Sequence, residues 1–173
     1  MTTTVDGNSG GTAVTTTTQP TLQGQVLQVV RYQTGAVATG TTQIPTDDTI
    51  PQSGEGDQYM SLAITPRSAT SKLVINIVWQ GSSNNGPASA TAALFQDSTA
   101  NALAGLTITH AGTNYWFEIV FDHSMTSGTT SSTTFKVRVG PNSAQTLTFN
   151  GLGGARTLGG VMASSITITE VVP

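Results

Sequence analysis

From residue 24 onward the chain reads as short runs in which apolar and polar side chains alternate, separated by clusters of turn-forming residues. The clearest run covers 71–80, where Leu73, Ile75, Ile77 and Trp79 alternate with Lys72, Val74, Asn76 and Val78. A period of two is the mark of an extended strand with one face toward a core. The first set predicts a wholly apolar inner face. The second mixes Lys and Asn with two valines and predicts an outer face partly covered by a neighbour. Residues 113–122 repeat the pattern, with Tyr115, Phe117, Ile119 and Phe121 on the predicted core side and Trp116, Glu118, Val120 and Asp122 on the other. A subunit or ligand contact accounts for Trp116 and Val120 on an outer face better than open solvent does.

Further strands are predicted at 26–32, 60–65, 91–95, 106–109, 134–139, 145–149 and 165–172, with Phe135, Val137 and Val139 inward and Lys136 and Arg138 outward. The segments 81–87 (GSSNNGP), 125–132 (MTSGTTSS) and 140–144 (GPNSA) carry turn chemistry. About eight to ten short strands at this spacing predict an all-β fold, an antiparallel β-sandwich of jelly-roll type. The abundance of Thr, Val and Ile, and the lack of Ala/Leu/Glu/Lys-rich segments, predict almost no helix.

Residues 1–23 break the pattern. They are Thr, Ser, Gly, Gln and Asn with only Val5, Val14 and Leu22 as large apolar side chains beyond Met1. Such a stretch cannot offset its ordering entropy by burying itself. It is predicted as an extended arm that gains structure by lying along another protein, its small side chains permitting close approach. The 173 residues then divide into an anchoring arm, 1–23, and one β domain, 24–173.

Charge narrows the partners. Only 9% of residues are charged, against about 25% in an average soluble domain. The net charge is -3, and the six basic residues (Arg31, Arg67, Lys72, Lys136, Arg138, Arg156) are scattered. No basic stripe exists to follow a phosphate backbone, so nucleic acid is not an expected partner. The absence of cysteine rules out disulfides and thiolate metal sites, leaving stability to packing or oligomerisation. No window approaches the ~18 apolar residues of a membrane span, and the N-terminus lacks the basic and apolar regions of a signal peptide; neither membrane insertion nor conventional export is expected.

Candidate chemistry is sparse. Asp47, Asp48, Glu55 and Asp57 place four carboxylates in a segment with no basic residue between Arg31 and Arg67. Calcium favours such oxygen-rich loops, but the spacing matches no EF-hand; a solvated acidic loop stiffened by Pro45 and Pro51 is the expected reading and calcium the alternative. Asp122, His123 and Ser124 supply the residue types of a hydrolytic triad, but consecutive strand residues alternate faces and form no relay. His110 and His123 are the only histidines, too few for a multi-histidine zinc site. Residues 151–156 (GLGGAR) lack the Lys and Ser/Thr of a phosphate-binding loop and read as a hairpin connection from which Arg156 could project toward a partner. Glu118 and Asp122 offer the carboxylates of a glycosidase by residue type alone. Neither an enzymatic activity nor a cofactor is expected. Among the aromatic residues, alternation buries Trp79 and Tyr115 and leaves Tyr32, Tyr59 and Trp116 as candidates to stack on a sugar, with packing against a second subunit as the competing role.

Three stretches carry a family likeness: 44–52 (IPTDDTIPQ) with Glu55 and Gly56, 64–74 (ITPRSATSKLV), and Gly159 and Gly160 followed by 164–171 (SSITITEV). Over roughly residues 24–173 the chain resembles phage and prophage virion surface proteins of the tail-fibre, head-fibre and decoration type. The resemblance implies a compact jelly-roll-like domain, similar to those that form trimers on virion surfaces. The chain has neither the heptads nor the β-helix repeats of a shaft. The expectation is therefore a homotrimeric unit on the virion surface, made in the host cytoplasm and docked through residues 1–23 on a major capsid or tail protein. Capsid decoration or a short head fibre is the first reading. A receptor-binding tail-fibre tip, recognising a host glycan or protein through loops such as GSSNNGP and MTSGTTSS, is the alternative. Expected partner-binding residues are Val5, Val14, Leu22, Trp116 and Val120.

Overall fold

The computed structural model describes residues 23–173, so Val5, Val14 and Leu22, and with them nearly all of the predicted arm, lie outside the described residues. The described chain forms the strands β1 (Val26–Thr34), β2 (Ala38–Gly40), β3 (Asp57–Ile64), β4 (Lys72–Ser83), β5 (Ala88–Gln96), β6 (Ala104–His110), β7 (Tyr115–Thr126), β8 (Thr133–Pro141), β9 (Leu147–Phe149), β10 (Gly151–Leu152), β11 (Ala155–Arg156) and β12 (Ser164–Val171). Among the described residues the only helical element is a 3-10 turn at Leu158–Gly160. All pairings are antiparallel, and the fold is the expected jelly-roll-type β-sandwich. One sheet has the order β3-β8-β5-β6; the other has six strands built around β4.

Strand β4 organises the larger sheet. Along one edge it pairs with β7 over its whole length, from Lys72 opposite Thr126 to Ser83 opposite Tyr115. The other edge is divided: β12 pairs with residues 72–78 and β9 with residues 81–83. Strands β1 and β2 extend these two branches. A fork in a sheet leaves backbone groups without ladder partners, and buried groups of that kind must be satisfied. The fully buried Asn150 does this. Its Nδ2 donates to the carbonyls of Thr34 (2.7 Å) and Ala36 (3.1 Å), its Oδ1 accepts from Ser164 Oγ (2.7 Å), and its N–H donates to Gln80 O (2.9 Å). Its backbone is left-handed, at φ +50°, a region that Asn tolerates better than most residues.

The alternation read from the sequence places the core correctly. Leu73, Ile75, Ile77 and Trp79 of β4, Ile119 of β7, and Ile166 and Ile168 of β12 are buried against Met60, Ile64, Leu94, Phe135, Val137 and Val139 of the facing sheet. Trp79 stacks on Phe117 at 5.3 Å and meets Tyr59 edge-on at 5.8 Å. A second, smaller cluster lies on the back of the four-stranded sheet, where Ile44 covers Ala93 and Phe95. The loop that carries Ile44 is clamped by the outward-facing Arg138, which donates to the carbonyls of Glu55 and Gly56 at 2.7 Å each. Gly56 is required there: its φ is +64°, and a Cβ would lie 2.8 Å from Ile44 Cδ1.

The predicted strands all appear. Sequence reading missed β2 and understated β4, since Gly81, Ser82 and Ser83, expected in a turn, pair with both β7 and β9. Likewise Met125 and Thr126 complete β7 before the turn begins. Tyr115, expected in the core, is 52% exposed. It is the first residue of β7, opposite the last residue of β4, at the open end of the sandwich. Tyr59, expected at the surface, is half-buried against Trp79 and Phe149. The register of β3 slips between Gln58 and Met60, and this bulge turns both Tyr59 and Met60 inward, where strict alternation would separate them.

Candidate functional site

The two ends of the six-stranded sheet differ in kind. The described chain enters beside its own C-terminus: Gly24 N–H donates to Val172 O (3.0 Å), and Val172 N–H returns to Gln25 O (2.9 Å). At this end Glu170 sits on the inner side of β12, fully buried. Its Oε1 accepts from Ser71 Oγ and from the N–H groups of Arg67 (2.8 Å) and Ser68 (3.3 Å), and its Oε2 accepts from Gln28 Nε2 (2.6 Å). Burial pushes the Glu170 carboxyl up, but these bonds, from Ser71, Gln28, Arg67 and Ser68, outweigh it and hold the group below its ordinary value. Ser127 Oγ joins the same cap by donating to Ser68 O. The stretches ITPRSATSKLV and SSITITEV thus meet at one carboxylate and close one end of the fold.

The opposite end lies ten residues further along β4, from Lys72 to Ser82, roughly 33 Å at the rise of a strand. There Trp116 stands on the outer face opposite Ser82, 39% exposed. The chain after β11 passes in front of it, so that Trp116, Gln80, Thr157, Leu158 and Met162 line a groove of about 420 Å³. Leu158, Gly159 and Gly160 are consecutively left-handed, at φ +51°, +64° and +93°. Glycine accepts this freely, but a leucine there costs on the order of 1–2 kcal/mol. Leu158 is nonetheless 68% exposed, and Val161 beside it 83%. Between the two ends, the outer face of the sheet carries Val29, Val74, Val78 and Val120, with Val78 directly opposite Val120.

These positions sort the sequence candidates. Trp116 and Val120 are exposed on the outer face, as expected. Tyr32 is exposed too, but it lies on β1 opposite Ile166, on the inner side of the sheet and across β12 and β4 from β7. Tyr59 is withdrawn altogether: its hydroxyl is buried without a partner among the described residues. Burial, reinforced by the charge of Asp57, pushes its phenol far above the ordinary tyrosine range. Of the three aromatic candidates, Tyr32 and Trp116 are therefore exposed, on opposite sides of the sheet, and Tyr59 is not.

The four carboxylates of the acidic segment do not converge. Asp47 accepts from the hydroxyl and N–H of Thr49, bonds that hold its carboxyl below the usual range. Glu55 accepts from Gln52 N–H (2.9 Å), and Asp57 accepts from Thr42 N–H (2.9 Å) and Oγ1 (2.8 Å). Asp47, Glu55 and Asp57 each brace a separate piece of loop, Asp48 is exposed, and among the described residues no three metal-ligating side chains converge. Asp122, His123 and Ser124 alternate across β7 as the strand geometry requires, though they lie within the strand and not at its end. Residues 151–156 form the short β10–β11 hairpin. The loops GSSNNGP and MTSGTTSS lie at opposite ends of the sandwich, because they follow β4 and β7, which run antiparallel.

Glu170 was missed, yet its signal was present. In Ile166, Ile168 and Glu170 the inward parity of β12 runs straight into a carboxylate, and a charge at an inward position implies a set of donors. Asn150 left no comparable trace.

No protein-family model matches the chain, and no curated protein matches it. Among solved structures it is similar to a CBM4 structure, at 14% identity over 75% of each chain with a TM-score of 0.40. It is also similar to dimeric latent PorU from Porphyromonas gingivalis, at 7% identity over 82% of this chain and 13% of that one, TM-score 0.40. A third is the enzymatically active domain of tailspike protein 4 from bacteriophage CBA120, at 16% identity over 72% of this chain and 19% of that one, TM-score 0.28. Similarity at this level transfers neither a ligand nor an activity.

Proposed function

We propose that the chain is a non-enzymatic structural unit of a phage particle surface, tethered at its Gly24 end and presenting the Trp116 end outward. The observation that carries this reading is polarity: the described chain enters at the sealed end of the sandwich, and the exposed aromatic groove lies at the other end of β4. The resemblance of the 44–56, 64–74 and 159–171 stretches to virion surface proteins gives that polarity its setting. Residues 1–23 dock on a capsid or tail protein, as capsid decoration or a short head fibre. Three copies associate through the outer valines Val29, Val74, Val78 and Val120, since apolar side chains are concentrated at interface cores.

Cosedimentation with particles lacking the protein tests the tether. The full chain is expected to bind, and a chain lacking residues 2–20 is expected to keep its fold and oligomeric state but stay in the supernatant. A truncated protein that still decorated particles would remove the arm from the docking role. Sedimentation equilibrium of Val120→Asp tests the interface: a shift from trimer to monomer is expected, and an unchanged trimer would move the contact elsewhere. A second reading, a host-recognition tip, draws its support from the Trp116 groove.

A further inference from the structure

We infer that the groove at the Trp116 end is a binding site for a neutral hexose unit bearing a methyl-containing substituent, as in an N-acetylhexosamine or a 6-deoxyhexose. The inference rests on the reading of an outward-facing end, but the chemistry comes from the groove itself. Trp116 offers an exposed indole face, the surface on which the C–H face of a pyranose packs. Gln80 and Thr157 satisfy the fold through main-chain groups: Gln80 N–H donates to Ser164 Oγ, its carbonyl accepts from Asn150, and the Thr157 carbonyl accepts from Gly160. Among the described residues the Gln80 amide and the Thr157 hydroxyl bond no other protein group. They are therefore available at the groove wall, where an amide and a hydroxyl both donate and accept, as sugar hydroxyls require.

The remaining walls, Leu158 and Met162, are apolar. A plain hexose would leave them facing hydroxyls, whereas the methyl of an acetamido or a deoxy group fills such a recess; one methylene-sized contact changes affinity by roughly 10–200-fold. Leu158 also carries the strongest structural sign of a role. It is a large apolar side chain held in solvent on a left-handed backbone, and strain of that kind persists where the surroundings impose it. The turn is fixed from behind: a Cβ on Gly35 would lie 1.9 Å from Gly160 O, so no side chain could separate the two segments.

Charge selects among sugars. The groove lining carries no ionisable side chain. The nearest carboxylate on the same face, Glu118, lies opposite Gln80 on β7. Arg156, the cation on the turn, packs against Gly160 and is not part of the lining. A carboxylated sugar would find no cation in the groove lining to pair with, so the lining favours neutral sugars over uronic and sialic acids.

The chain has two tryptophans, and Trp79 is buried in the core, so a ligand-induced change in emission reports Trp116. The full-length protein, free of particles, is titrated with N-acetylglucosamine, fucose, glucose and glucuronic acid. The expected result is a saturable change with the first two, at least tenfold weaker binding of glucose, and no binding of glucuronic acid. Saturation-transfer NMR on Trp116→Ala should lose the signal at unchanged melting temperature, and Leu158→Ala should reduce the preference for N-acetylglucosamine over glucose. The proposal is overturned if no sugar changes the emission, if glucose or glucuronic acid binds as well as N-acetylglucosamine, or if Trp116→Ala binds normally. Trp116 shielded from acrylamide in the free protein would likewise overturn it and make the groove a contact between copies. Each of these outcomes leaves cosedimentation with particles free to succeed or fail on its own.

Discussion

The sealed and the open end of the six-stranded sheet are built from the same strands, β4, β7 and the strands beside β4, and they solve opposite problems. At the Glu170 end, polar groups are taken out of water and paired almost completely: one carboxylate gathers a hydroxyl, an amide and two backbone N–H groups. At the Trp116 end, apolar groups are held in water, on a turn whose backbone favours glycine. Buried, satisfied polar networks rigidify a structure. Exposed apolar groups stabilise nothing in the monomer, so their retention points to a contact made with something else. One end is therefore built of satisfied polar groups, and the other of apolar groups left in solvent.

Mutations should separate the two ends by the size of their effect. Replacing Glu170 by Ala leaves the Arg67 and Ser68 N–H groups without this acceptor and takes one bond each from Ser71 and Gln28, which keep the carbonyls of Ser68 and Thr65, and should cost on the order of 3 kcal/mol in urea unfolding. Asn150→Ala, which takes a donor from the Thr34 and Ala36 carbonyls and the acceptor from the Ser164 hydroxyl proton at the fork, should cost about 2 kcal/mol by the same measurement. A loss below ~0.5 kcal/mol in either variant would break the contrast.

The pH dependence has a definite sign. The folded-state carboxyl of Glu170 lies below its ordinary value of 4.5. Its ionised form therefore stabilises the fold fully above that value, and the contribution is lost as pH falls below it, through the folded-state value. Asp47, also held low, acts in the same direction. Urea midpoints measured on the acid side should fall steeply for the natural sequence and more gently for Glu170→Gln. Equal slopes would show that Glu170 is not the group being titrated.

Two smaller effects sharpen the picture. Tyr59→Phe removes a buried hydroxyl that has no partner among the described residues, and should leave stability unchanged or raise it by up to about 1 kcal/mol. Trp116→Ala should change stability by less than ~0.5 kcal/mol while abolishing whatever binds at the groove. A large loss from Trp116→Ala would make that end structural too.

Much of the sandwich was readable because strand periodicity is a local property. Leu73, Ile75, Ile77 and Trp79 need only face one way, and their spacing says so; Trp116 and Val120 fall on the outer face by the same rule. The turn chemistry of GLGGAR was enough to foretell a hairpin. What failed were inferences about where strands meet. A single-residue bulge drew Tyr59 into the core, and the end of β4 left Tyr115 in solvent. The carboxylates of the acidic segment are close in sequence, yet Thr42, Thr49 and Gln52 engage three of them separately.

The sequence by itself therefore determined the inward residues of the regular strands, Leu73, Ile75, Ile77 and Trp79 among them, and that the fold is a sandwich of short antiparallel strands, because both follow from alternation and turn residues a few positions apart. Only the tertiary structure decided that β4 carries a fork plugged by Asn150, that Glu170 ties together segments about a hundred residues distant, and that Trp116 faces Leu158 and Met162 across a groove. Each of these depends on register and on which strands become neighbours, and those are fixed by packing of the whole chain and not by any one segment of it.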